Sequence, residues 1–357
     1  MTPEPVRRTS ARAAVIQDVA RLAGVSHQTV SRVLNDSPDV SAKTRERVLQ
    51  AVRQLRYRPN AMARGLAGRR SRIVGVVSFD TRLYGPASTL LGVERAARSA
   101  GYGVSIAMLE RLDDAGVRSA IGTLIQQAVA GIVVIAPHLA AAAALRNLPD
   151  GMAAVVAEME PGTGVPSISV DQVTGARIAV EHLLALGHRH VVHLSGPGDR
   201  LESHGRIQGW REALRDAGLV APEPITGDWS AHCGYSAGLR LAADPCVTAV
   251  FAGNDQMALG LMRAFDERGV RVPHDVSIVG FDDIPEAEFL CPPLTTIRQD
   301  FDEVGRRCIA ALLRLVEADV PGGPARATPD STVAPALMIR ASTAPFRCRG
   351  ECAGGHG

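Results

Sequence analysis

The stretch SHQTVSRVLN, residues 26–35, places His27, Gln28, Ser31 and Arg32 at the spacing of one helical face, with Val30, Val33 and Leu34 on the opposite one. These polar types can read base edges. A glutamine amide pairs in a two-pronged way with adenine and a guanidinium does so with guanine, each good pair discriminating by about 1–3 kcal/mol. A solvated face on an ordinary helix pair would show the same spacing, so the charge of the surrounding chain matters. Residues 1–72 carry 15 Lys or Arg against 5 Asp or Glu, whereas the whole chain of 357 residues nets only +2. A basic end on a near-neutral chain suits a partner with regularly spaced negative charge.

Three other groupings have the residue types for chemistry but not the setting. GYSAG, residues 234–238, satisfies the G-x-S-x-G pattern of a nucleophilic serine, yet it follows GDWSAHC and runs into LRLAAD at helical spacing, where Ser236 is an ordinary helix residue. The pair in GPG, residues 196–198, lacks the third glycine of a dinucleotide loop. Cys348, Cys352 and His356 sit in a Gly-rich tail without a fourth ligand nearby, which argues against a metal. With Cys233, Cys246, Cys291 and Cys308 scattered over a long chain, a disulfide framework is not expected either.

The elements that must carry these residues change in kind along the chain. From residue 16 to residue 68 the pattern is helical and short. Gly24 ends a first helix, Ser26 caps a second and Ser41 a third, in which Val48, Val52 and Leu55 recur at helical spacing. A helix, a tight turn and a second helix of this size is the helix-turn-helix shape, whose second helix enters the DNA major groove. Pro59 then bars continuation, and Asn60 can cap a further helix of about two turns that Gly68 stops. That piece is well under the ~12–15 residues an isolated helix needs and should form only when held.

From residue 73 onward apolar strands alternate with amphipathic helices: IVGVVS, GVSIAM, GIVVIA, AAVVAE, HVVHLSG, AVFAGN and VSIVGFDD, with crossover helices over 86–100, 173–186 and 255–268. Continuous Val/Ile runs separated by helices mean parallel sheets covered on both faces. SISVDQVTG near residue 170 divides them into two sets, which predicts two α/β lobes with a ligand cleft at the C-terminal ends of the strands. The first residues lack a hydrophobic signal core and no apolar run reaches a membrane span, so a cytoplasmic location is expected.

IQDVARLAGVSHQTVSRVLN, VSAKTRERV, YRPNAMARGLAG, GDWSAHCGY, GNDQMALG, VGFDD and PPLTTIRQDF together resemble the LacI family of bacterial repressors, over residues 16–339 and with nearly the same spacing between motifs. The resemblance implies an all-α helix-turn-helix domain followed by a periplasmic-binding-protein-like α/β core of two doubly wound lobes. It divides the chain into a flexible basic tail (1–14), the DNA-binding domain (15–58), a hinge helix (59–71), the core (72–342) and a disordered tail (343–357). Within the core, lobe one takes 72–170 and 301–328, and lobe two 171–300 and 329–342.

The resemblance further implies a homodimer on double-stranded operator DNA, released by a small sugar, with no membrane partner, no cofactor, no metal and no catalytic residue. His27, Gln28, Thr29, Ser31, Arg32 and Asn35 would then contact the major groove. Asn60, Ala63, Leu66 and Ala67 would serve the minor groove, with Leu66 as the apolar wedge. His27 stands where a family member resembled in detail carries a phenol, so the half-site is expected to be related but altered. In the cleft the resemblance points to Arg206, Asn254 and Asp282 for sugar hydroxyls and to Trp229 for an apolar sugar face. Leu83, Pro86, Glu158, Val170, Gln299 and Phe301 complete the lining. Asp255 reads as a helix N-cap and Trp210 as a core residue. Glu158 and Val170 replace the aspartate and phenylalanine of that relative, which leaves a galactoside or another hexoside as the expected effector. A family regulator answering to a purine, or using its ligand as corepressor, is the alternative. A transport binding protein would not need the basic head. The end, PFRCRGECAGGHG, has no apolar heptads, which predicts a dimer rather than a tetramer.

Overall fold

The computed structural model describes residues 14–34, 37, 39–55, 57, 71–109, 113–135, 148, 151–158, 165–318 and 331–347. The chain separates into two compact units, residues 1–71 and 72–357. The hinge helix expected over 59–71, with Asn60, Ala63, Leu66 and Ala67, lies outside the described residues except for its last position, as do Asn35 and the tail holding Cys348, Cys352 and His356.

The first unit contains helices α1 (Ile16–Ala23), α2 (His27–Leu34) and α3 (Ala42–Gln54). Their ends are closed as the sequence suggests. Val15 N–H donates to Asp18 at the start of α1, and Thr29 and Thr44 N–H donate to the Ser26 and Ser41 hydroxyls at the starts of α2 and α3. Gly24 adopts φ 61° after α1, and Val25 N–H reaches back to Ala20 O at 3.0 Å. A Cβ at Gly24 would meet the Arg47 guanidinium at 2.9 Å. That guanidinium donates to the Ala23 and Gly24 carbonyls and so ties α3 to the turn. Val19, Ala20, Ala23, Val30, Val33, Val48 and Ala51 form one small core, leaving the other face of α2 outward.

In the second unit, β1 (Ile73–Phe79), β2 (Gly103–Leu109), β3 (Gly131–Ile135), β4 (Ala154–Ala157), β5 (Ser167–Val170) and β11 (Ser331–Val333) form a parallel sheet in the order β2-β1-β3-β4-β5-β11. Alternate residues serve opposite faces. Val74, Val76, Val133 and Ile135 meet one apolar cluster, and Val77, Ile132, Val134 and Val156 meet another. Double-sided burial is why these strands read as unbroken apolar runs. Helices α4 (Tyr84–Ser99), α5 (Asp114–Gln126) and α10 (Phe301–Ala318) cover the sheet.

The second lobe repeats the plan with β6 (Val191–Ser195), β7 (Ile225–Thr226), β8 (Ala249–Ala252) and β9 (Ser277–Val279), parallel and ordered β7-β6-β8-β9. Helices α6 (Gln172–Ala185), α7 (Leu201–Asp216), α8 (Ala231–Leu241) and α9 (Asp255–Glu267) accompany it. Parallel bridges from Val279 to Thr295 and from Asp282 to Arg298 extend it to β10 (Thr296–Arg298), which pairs antiparallel with β12 (Ala336–Met338). Each lobe therefore follows the doubly wound order in which a first strand lies between its second and third.

The lobe boundaries need correction. Residues 331–333 pair with β5 and close the first sheet, so the chain returns to the second lobe only after them. Residues 343–347 belong to that lobe rather than to a tail: Ala344 N–H donates to Ser277, and Phe346 N–H to Leu186 O at 2.8 Å. The chain thus crosses between the lobes three times among the described residues, after β5, after β10 and after β11. Strands β7, β10, β11 and β12 have only two or three residues each, too few to stand out by periodicity.

Candidate functional site

On α2, His27, Gln28 and Arg32 are exposed and Thr29 and Ser31 half-buried, while Val30 and Val33 face the core. The helix therefore presents a planar amide, an imidazole and a guanidinium together on a basic unit, the donor and acceptor set needed for base edges.

In the core, a cavity of about 420 Å³ lies between the lobes, at the C-terminal ends of their strands. All ten residues expected in the cleft line it. Glu158 follows β4 and Val170 ends β5; Leu83 and Pro86 open α4, and Phe301 opens α10. From the second lobe come Arg206 on α7, Trp229 before α8, Asn254 after β8, Asp282 after β9 and Gln299 after β10. Sequence reasoning missed Gln172, Glu202 and Gln256, which share the lining. Glu202 had a findable signal, since it stands one helical turn before Arg206 on the same helix.

Arg206 is 4% exposed and organises the cavity wall. Its Nε donates to Gln172 Oε1 at 2.9 Å, Gln172 Nε2 donates to Gln299 Oε1 at 2.8 Å, and Gln299 Nε2 donates to Asp282 Oδ1 at 2.7 Å. Asp282 Oδ1 lies 3.5 Å from Arg206 Nη2, which closes a four-residue ring. Arg206 Nη1 also donates to Gly253 O, and the guanidinium stacks 3.8 Å from the Phe281 ring centroid and 5.3 Å from that of Trp229. Burial raises the Asp282 carboxyl to about 6, against the opposing effects of Arg206 and Gln299.

Asn254, not Asp255, caps α9: its Oδ1 accepts from Met257 N–H at 2.9 Å while its Nδ2 donates to Trp229 O. The preference for Asp255 as the cap is corrected. That carboxylate is fully buried and accepts from Ile284 N–H and the Thr296 hydroxyl. Trp210 is a core residue, fully buried and donating its indole N–H to Val191 O. Trp229 is 6% exposed, with φ 71° and no partner for its indole N–H among the described residues. Its ring lies so close over Gly196 that an added Cβ would stand 2.0 Å from it. Gly196→Ala should therefore displace the indole from the cavity wall. The expected result is a shifted tryptophan emission and at least a tenfold loss of affinity for whatever the cavity binds, measured by fluorescence and calorimetry.

Glu158 Oε2 accepts only a long 3.5 Å bond from Val170 N–H, while Glu158 Oε1 and Glu202 Oε2 are buried without a partner among the described residues. Burial is the main reason that Glu158 is raised to about 8 and Glu202 to about 7. Above the unfolded carboxylate range the folded core then holds protons that the unfolded chain has released, so stability falls as pH rises through about 7 and 8. The ligand-free protein should be less stable at pH 8.5 than at pH 6 by on the order of 2–5 kcal/mol, and melt at a lower temperature. Glu158→Gln should flatten that slope, as thermal melts across the range would show.

The lobes are also tied directly. Asp80, after β1, pairs with Arg200, before α7, at 3.1 Å, with the two side chains 14% and 10% exposed. Ser236 lies mid-way along α8 and faces solvent, away from any strand-to-helix elbow. Among the described residues no cluster of His, Cys, Asp or Glu could hold a metal, and no helix is long and apolar enough to cross a membrane.

Comparison with known proteins agrees with this geometry. A family profile described as bacterial regulatory proteins, lacI family, matches residues 15–60, and one described as a periplasmic binding protein-like domain matches residues 180–343. The lactose operon repressor of Escherichia coli is 37% identical over 314 residues, covering 86% of each chain. The ribose operon repressor of the same organism is 32% identical, over 85% of this chain and 93% of the relative. The HTH-type transcriptional repressor PurR of Vibrio cholerae is 35% identical, over 85% of this chain and 92% of the relative. A lac repressor dimer bound to operator and the anti-inducer ONPF superposes with a TM-score of 0.83 at 35% identity, covering 93% of this chain and all of that one. The regulator CelR in complex with cellobiose superposes with a TM-score of 0.66 at 31% identity, covering 92% and 99%.

Proposed function

The chain belongs to the LacI family of bacterial regulators and is a DNA-binding transcriptional repressor; from that premise we propose that a small sugar, a galactoside or related hexoside, occupies the cavity between its lobes and releases the protein from its operator. The observation that carries the sugar reading is the ring of Arg206, Gln172, Gln299 and Asp282 on the cavity wall. It fixes a forked donor and an acceptor carboxylate where a polyol would exchange hydroxyl bonds with them, beside the Trp229 and Phe301 rings. Relatives named as repressors of the lactose and ribose operons, and a regulator solved in complex with cellobiose, support it.

The protein acts as a cytoplasmic homodimer, each α2 reading one half-site of a pseudo-palindromic operator, as the operator-bound lac repressor dimer supports. It works by binding rather than turnover, with no cofactor. His27, Gln28, Thr29, Ser31, Arg32 and Asn35 contact the major groove, and Leu66 with Asn60, Ala63 and Ala67 the minor groove. Sugar in the cavity changes the angle between lobes that are joined by three crossings and the Asp80–Arg200 pair. That change weakens operator affinity.

The test is operator binding by the full chain, titrated with a panel of galactosides and glucosides. Release by at least one of them at a defined concentration is expected. If purines release the DNA and no sugar does, the effector reading is wrong.

A further inference from the structure

The cavity is lined by two carboxyl groups that make no ion pair among the described residues. Arg206 is the buried arginine among the described residues of the lining, and three of its five N–H donors face Gln172, Gly253 O and Asp282. Glu158 and Glu202 share the cavity without a direct ion pair among the described residues, with Arg206 and Arg200 acting on them from a distance, and each keeps one buried carboxyl oxygen without a partner there. Trp229, nine-tenths buried on the same wall, likewise leaves its indole N–H unpaired.

The two carboxylates belong to different lobes. Glu158 follows β4 in the first and Glu202 lies in the first turn of α7 in the second. Ionised together, they repel across the lobe boundary and favour separation of the lobes; a positive charge held by both reverses the sign of that interaction. A neutral polyol supplies hydroxyl donors but no charge.

We propose, resting on the sugar reading of this cavity, that its effector carries a protonated amine, an amino sugar whose ammonium is shared by Glu158 and Glu202 and draws the two lobes together. An ammonium has three donors and no acceptor, so its binding releases to solvent the proton that Glu158 holds at pH 7 and leaves acceptor-only oxygens around it, and desolvated pairing of unlike charges discriminates more strongly than exchange of one hydroxyl for another.

Titration calorimetry of the full chain at pH 7 decides it, using galactose and glucose, their 2-amino-2-deoxy and 6-amino-6-deoxy forms, and the N-acetyl derivatives of those amines. At least one amino sugar is expected to bind ten times more tightly than both its parent hexose and its N-acetyl form. Glu158→Gln and Glu202→Gln should each shrink that preference to threefold or less. The comparison of amine with N-acetyl amide on the unmodified protein stands even where a variant folds poorly. A parent hexose or an N-acetyl form that binds as tightly as the amine overturns the proposal and leaves the sugar reading standing, whereas failure of every sugar to bind overturns both.

Discussion

Arg206→Ala is expected to lower sugar affinity by a hundredfold or more, about 2.7 kcal/mol, while operator binding in the absence of sugar stays within about threefold. The guanidinium is the hub of the cavity wall, so its loss removes a ligand donor and disperses the others. Gln172 loses the bond that orients it, Gln299 follows because it is held between Gln172 and Asp282, and the Phe281 and Trp229 rings lose the cation between them. There is a stability component as well. Asp282 is 7% exposed and already raised to about 6 beside Arg206; without that cation it is pushed higher still, and the fold carries a buried carboxyl that must either stay charged unpaired or take up a proton.

Adding Asp282→Asn to Arg206→Ala separates the two effects. The double variant should recover much of the melting temperature, because the uncompensated charge is gone, but none of the sugar affinity. Fluorescence anisotropy of a labelled operator, with and without sugar, reads the functional half; thermal melts read the other. Should the single variant still release its operator at the sugar concentration that releases the unmodified protein, Arg206 is not a ligand of the effector and the cavity assignment falls.

The elements that place these side chains are those whose signal is local. Gly24, Ser26 and Ser41 act where the backbone needs a left-handed residue or a hydroxyl cap, and such needs are written within four residues of the site. The apolar runs of β1, β3, β6 and β8 are legible because both sheet faces are buried, which leaves no position for a polar residue to interrupt them. The strands that went unread have the opposite character. β11 has three residues and joins the first lobe through a partner more than 160 residues earlier in the chain, and nothing local announces which sheet it will complete. The cavity shows the same division. Resemblance identified ten lining residues by position. The ring through Gln172, the capping role of Asn254 and the unpaired oxygens of Glu158 and Glu202 depend on which side chains three lobe crossings bring together. Those are properties of the assembled fold.

Replacing Arg32 should have the largest effect on the DNA side, and the choice of replacement tells what the residue does. Arg32 is exposed on α2, opposite the buried Val30 and Val33, so removing it leaves the small core of the first unit intact. A bidentate contact to guanine is worth about 1–3 kcal/mol in each half-site, and a dimer loses it twice, so Arg32→Ala should weaken operator binding by roughly 30-fold to beyond 10,000-fold. Binding to unrelated DNA should fall far less, since that affinity comes from the summed charge of the basic segment. Arg32→Lys keeps the charge but not the planar fork. If Arg32 reads a base, the lysine variant loses most of the preference for operator over unrelated DNA while the slope of log affinity against log salt is unchanged. If Arg32 only touches phosphate, lysine preserves that preference and alanine lowers the salt slope by about one for each site. Anisotropy titrations of both variants at several salt concentrations distinguish the two outcomes, and a lysine variant with full operator preference would remove Arg32 from the base-reading set.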